Sequence, residues 1–364
     1  MNRLRLTGYL LLATCMLPFW ANAQFSKTRD IVKSFHITKE TRVEIGNKYG
    51  KIDINTWEKD SVRFEVRISI EEKKLSKLQD ALKEVDFNIT SSQNYLIFIT
   101  EVDKNKSGLA KEFQKFKETL LSSDGDIKID YTVWMPNSNQ LKIDNKFGDI
   151  FIGDYKGEVR IDLSNGNLKA SDFSQPLDLT LNFADATINS IEQGRLECNF
   201  SQLYVKKVGS VRVSSKSSEF DIREATDLNL NSRRDKFRIG QVDLVDAEAS
   251  FSNIRISELS DRINIRTEYG DLEIEDTAPD FGGLVIQSKN TDIDLSFDRE
   301  SDFNYDFTYS KTELLLSPMM KNEKKEVSED EKTVKEKGYF GNNSKETPKL
   351  NVSAESGSLK IRER

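Results

Sequence analysis

His36 is the single histidine of this chain, and Cys15 and Cys198 are its only cysteines, so few residues offer classical nucleophile or acid–base chemistry. A Ser–His–acid triad would have to be built on His36. That residue lies in a polar lead-in, with no neighbour suited to orient it. No HExxH, CxxC, GxSxG or P-loop pattern occurs. Cys198 stands two residues before Phe200, at a position expected to face inward, which makes it a packing residue rather than a reactive thiol. Hard oxygen ligands for calcium exist at Asp124-Gly125-Asp126 and at Asp144 and Asp149. An EF-hand loop and the glycine-rich nonapeptide of calcium-binding β-rolls are both missing, and paired aspartates at turns are ordinarily turn residues. No catalytic, cofactor-binding or metal-ligating residue is therefore assigned. The chain is expected to be non-enzymatic and to need no cofactor.

The elements that would carry any binding residue are written as a repeat. The stretch 141–152 reads LKIDNKFGDIFI, and an earlier copy, VEIGNKYGKIDI, occupies 43–54. Alternation at period two places one set of side chains on one face of a strand. Counting the first apolar residue as position one, the motif recurs at Leu141, Val159, Leu177, Gly194, Val211, Leu228, Val245, Ile263, Leu284 and Phe303. The spacings are 18, 18, 17, 17, 17, 17, 18, 21 and 19 residues. Position three holds residues such as Ile143, Ile161 and Val213, position ten Ile150, Phe220 and Ile254, and position twelve Ile152, Val205 and Ile274. Position seven, grouped with this inward set, is often aromatic: Phe147, Phe183, Phe200, Phe251 and Tyr269. A small residue follows it, as Gly148, Gly166, Ala184 and Ser201 do, which fits a tight corner.

Such a period predicts a mainly β fold: a single-stranded parallel β-solenoid of about 17–18 residues per coil, with like positions stacked as ladders. Residues 1–23 read as a signal peptide, with Arg3 and Arg5 before an apolar run and Ala21-Asn22-Ala23 at the cleavage site. The 24–135 segment reads as α/β, with a first repeat-like coil at 43–57 and two helices inserted within 71–121. Leu75, Leu78, Leu82 and Val85 mark one helix; Leu109, Phe113, Phe116 and Leu120 mark the other. The solenoid covers 136–317 and a charged mobile loop 318–349, while 350–364 restores the motif and closes the end.

The outward positions two, four and eleven carry Lys142, Asp144, Arg160, Asp162, Arg212, Asp221, Arg238, Glu248, Arg255, Arg266 and Glu273. Stacked, they would form ladders of mixed sign that keep the surface soluble. Arg234 and Asp235 replace the aromatic and small residues at one corner, which reads as a corner open to water. Removing residues 1–23 moves the net charge from −7 to −9, an acidic balance that argues against nucleic-acid binding. No stretch of the mature chain is apolar enough to span a bilayer. One cysteine remains, so no intramolecular disulfide is possible.

The segments NKYGKIDINTW and NKFGDIFIGDY, the repeated V-x-I…G-x-I-x-I strands and the closing SGSLKI together resemble the secreted bacterial β-strand-repeat proteins of unknown function. That adhesin-like group is related to the head domains of auto-transporter adhesins. The resemblance covers 43–57 and most of 141–364. It implies a location in the periplasm, on the outer surface or outside the cell, and a surface ligand that is polysaccharide or protein. The chain is accordingly expected to be an exported scaffold or binding protein of the cell envelope. A carbohydrate-active β-helix enzyme and an envelope partner of a membrane signalling protein are the alternatives.

Overall fold

In the computed structural model, the repeat pattern becomes register. The structure describes residues 25–72, 85–102, 126–330, 332–342 and 347–364, with Leu75, Leu78, Gln79 and Leu82 between them. Residues 1–24, the expected signal peptide among them, lie outside this set. The chain divides into two units. The smaller one includes Ile68–Asp86 and Val102–Lys128, and the larger one Asp30–Arg67, Phe87–Glu101 and Ile129–Arg364.

The larger unit is a mostly parallel sheet in which each repeat pairs with the next through like positions. Val43 pairs with Leu141, Leu141 with Val159, Val159 with Leu177 and Leu177 with Gly194. The same register runs on through Val211, Leu228, Val245, Ile263 and Leu284. Each repeat thus forms one layer, with its first arm at positions one to six and a second arm beginning near position ten. The second arms pair likewise, Ile52 with Ile150 and Ile150 with Leu168. The early copy at 43–54, remote in sequence, therefore packs directly on the copy at 141–152.

Positions one, three, ten and twelve are buried from Val43 and Ile45 to Ile293 and Leu295, with the half-buried Gly194 the exception. One such side chain is worth ~1.5–3 kcal/mol when covered on both sides, which only stacking provides. Phe220 and Phe237 show the ladder most clearly, their rings 4.5 Å apart and 3° from parallel. One end of the stack is covered by an aromatic group in which Phe64 lies 4.3 Å from Phe98, and Phe98 lies 5.7 Å from Tyr131.

Several expectations need correction. The polar lead-in is a strand, Phe25–His36. No inserted helix is delineated: Leu75, Leu78, Gln79 and Leu82 carry helical backbone, and residues 103–121, which hold the second expected helix, lie outside the described set. The 318–349 stretch is not a loop alone. Met320–Val327 and Val334–Phe340 pair antiparallel, and the latter also pairs with Phe303–Leu315. Its charges are matched across strands, Lys325 with Glu336 at 3.3 Å and Lys337 with Asp306 at 2.6 Å, and Phe340 stacks on Phe303 at 4.8 Å.

The last strand, Lys349–Glu363, does not close an end. It lies between two earlier layers, pairing with Gly283–Phe297 on one side and Phe303–Leu315 on the other. That pairing also moves the motif register of the Phe303 copy by two residues. Tyr305, not Phe303, matches Leu350 at position one. Phe303 instead joins a buried aromatic group with Phe281, Phe297 and Phe340. Among the described pairings, Met320–Val327 has a single partner, and its exposed lysines and glutamates discourage further strand addition.

Candidate functional site: an outer groove and a corner ladder

The first arm turns positions two, four and six outward, and stacking sets each row 4.8 Å or so from the next. Along this face runs a groove of about 1240 Å³, reaching from Arg42 and Gln140 to Asp227 and Asp246. At one end its charges are matched in ion pairs. Lys142 reaches Glu44 at 2.8 Å, and Arg160 reaches Asp162 at 3.2 Å and Asp178 at 3.3 Å. The hydrogen bond to Asp162 holds the Arg160 guanidinium above its ordinary pKa. On the outer face of the second arm, Arg238 meets Glu219 at 2.5 Å, and Arg255 meets Glu273 and Glu275. Exposed pairs of this kind contribute little to stability.

Two layers break the rule. The outward residues of the layer at 211–216 are Arg212, Ser214 and Lys216, and those of the layer at 228–233 are Asn229, Asn231 and Arg233. They present three cations and no carboxylate. Arg195 pairs in register with Arg212, and neither guanidinium has an ion pair among the described residues. Like charges directly opposed in a sheet disfavour it, although Arg195 also faces Asp178 on its other side. Reading position two down the copies would have found Arg195 beside Arg212. Position six, with Lys216 and Arg233, faces outward too and was not read among the outward positions.

At the corner itself, the inward expectation for position seven fails. Phe147, Phe183, Phe200, Phe251 and Tyr269 are between 42 and 60% exposed. Each has positive φ, from 51° to 57°, and Tyr49, Asn165, Ser217, Arg234, Asn290, Lys311 and Ser356 share that conformation. A left-handed residue lets the chain reverse between the two arms, but for most L-residues it costs ~1–2 kcal/mol. The polar residues at equivalent corners were the missed sign that this position faces water.

Position eight explains its own preference for small residues. A Cβ on Gly148 would lie 1.9 Å from the Gly50 oxygen of the adjoining layer. In four successive layers a short polar side chain takes this position. Ser201 Oγ accepts from Ala184 N, Ser218 Oγ from Ser201 N, Asp235 Oδ1 from Ser218 N and Ser252 Oγ from Asp235 N, at 2.7–3.2 Å. Asp235 is therefore not open to water. It is 2% exposed, and its Oδ2 also accepts from Ser215 Oγ, Ser232 Oγ and Arg233 N.

The residues weighed for other chemistry stay apart. His36 is exposed at the end of its strand. Cys198 is buried, and burial, then the charges of Asp235 and Glu197, push its thiol up to about 12. Asp149 accepts from the Asn167 backbone and side chain. Asp124 lies outside the described residues. Among the described residues no cluster of three or more histidine, cysteine or acidic side chains could hold a metal, and no helix is long and apolar enough to cross a membrane.

No protein-family model matches the chain, and no curated protein sequence matches it. Solved structures do. A candidate adhesin from Bacteroides fragilis is 13% identical with a TM-score of 0.32, over 71% of this chain and 97% of that one. A candidate lipid-binding protein from Parabacteroides distasonis is 13% identical with a TM-score of 0.33, over 72% and 96%. A candidate cell adhesion protein from Clostridium sporogenes is 8% identical with a TM-score of 0.17, over 93% and 100%. Likenesses this distant transfer neither a ligand nor an activity to this chain.

Proposed function

We propose that this chain is an exported, non-enzymatic β-solenoid that acts as a binding scaffold at the bacterial cell envelope. Layer-on-layer parallel register at 17–18 residues is what a single-stranded solenoid requires. The observation that carries the binding role is the groove of about 1240 Å³ along the first-arm face, with Arg195 and Arg212 unpaired on its floor. A rigid face of this kind suits an extended segment of polysaccharide or protein, because its floor loses little entropy when the ligand lands. Replacing Asn229, an outward groove residue, by Trp fills the floor without touching the interior. Purified protein should lose capture of at least one glycan or protein ligand on arrays, at an unchanged melting temperature. Capture of every ligand at wild-type strength by Asn229→Trp would remove the groove from the reading.

A further inference from the structure

The corner offers a second surface that does not depend on the groove. Asparagine visits left-handed φ more readily than phenylalanine, and Asn165 and Asn290 show that this corner accepts it. The backbone therefore does not call for aromatic rings. Stacking between layers accounts for them only in pairs: Tyr49 with Phe147 at 5.6 Å, Phe183 with Phe200 at 5.0 Å and Phe251 with Tyr269 at 4.8 Å. Between the second and third pairs the layers of Ser217 and Arg234 interrupt the ladder. Phe200 and Phe251 thus each turn one face away from their own partner and into this gap, three layers or roughly 14 Å apart.

The gap holds a concavity of about 360 Å³ lined by Phe200, Ser217, Arg234 and Lys236. Neither Arg234 nor Lys236 has an ion pair among the described residues. Lys216 Nζ stands 6.0 Å above the Phe200 ring, at the outer limit of a cation–π contact, on an exposed side chain. Of the two acids in the lining, Glu219 is held by Arg238 at 2.5 Å, which leaves Asp185. One aromatic face and two unpaired cations sit side by side, and the rim is open to water.

We propose that this corner slot binds an acidic sugar residue, a pyranose carrying a carboxylate or sulfate within a glycan. The C–H face of the sugar would lie on Phe200, its hydroxyl rim would stay hydrated, and its anionic group would meet Arg234 and Lys236. A neutral ring would leave the cations unused. A single-stranded nucleic acid also offers a stacking face and an anion, so oligothymidylate binding is an outcome that overturns the proposal.

Calorimetric titration of the intact chain tests this, with oligogalacturonate and a sulfated oligosaccharide as probes. A neutral malto-oligosaccharide and oligothymidylate serve as comparators. Arg234→Asn and Phe200→Asn install a residue that other corners already use, so melting should confirm intact folding. An acidic glycan should bind with an affinity that falls as salt rises, and each corner variant should weaken it about tenfold, the scale of one charge-assisted contact. Asn229→Trp in the groove should leave this binding unchanged. The slot is ruled out if neither acidic probe binds, if the neutral sugar or oligothymidylate binds as tightly, or if Phe200→Asn has no effect. Loss in Asn229→Trp alone would assign the glycan to the groove and overturn the slot.

Discussion

The buried Asp235 carboxylate gives the sharpest test of the corner architecture. Asp235→Ala removes the acceptor for four donors: Ser218 N, Arg233 N, and the hydroxyls of Ser215 and Ser232. The hydroxyls can turn elsewhere, Ser232 Oγ for instance toward Ser252 Oγ at 2.9 Å. The two backbone amides cannot. A buried donor left without a partner costs ~1–3 kcal/mol, and Arg233 N is partly reachable by water, so the net loss should be about 2–4 kcal/mol. Asp235→Ser should cost only about 1 kcal/mol, because a serine there can accept from Ser218 N just as Ser218 accepts from Ser201 N. Denaturant melts rank the three proteins, and hydrogen exchange at the Ser218 amide localises the effect. Equal stability of wild type and Asp235→Ala, or equal damage from Ala and Ser, would refute the ladder of position-eight acceptors.

Two other outcomes follow from buried positions. Ile254→Asp puts an unpaired charge at position ten, 2% exposed, and should cost more than about 4 kcal/mol; an unchanged melting temperature would contradict the layer register. Cys198 should resist thiol reagents until the chain unfolds. Because its folded pKa is raised, the unfolded thiol releases its proton first, so stability is intact below about 9 and declines as pH rises toward about 12. Cys198→Ala should flatten that alkaline decline, and an unaltered slope would assign it to other groups.

The sheet was legible because strand alternation and a 17–18-residue period are local properties of the sequence, and like positions then had to meet. The antiparallel pair at 320–340 was hidden because its composition is that of a solvated segment. It is held by charges and rings supplied from Phe303–Leu315, a strand outside it. The corner aromatics were misplaced for a different reason. Phe147 and Phe200 keep the parity of the inward residues, but a single left-handed residue reverses side-chain direction, and parity does not record it.

By itself, the sequence determined the layer, its interior residues and its acidic, histidine-poor chemistry. It also contained the basic island at Arg195, Arg212, Lys216 and Arg233, since register follows from the period. Only the tertiary structure decided the order of the last layers, where Lys349–Glu363 slips between strands that precede it in the chain. Equivalent repeats can each pair with several others, and local pattern cannot choose among them. It also decided which charges are neutralised and which ring faces stay open. Those depend on neighbours one layer away, and they are what a ligand would meet.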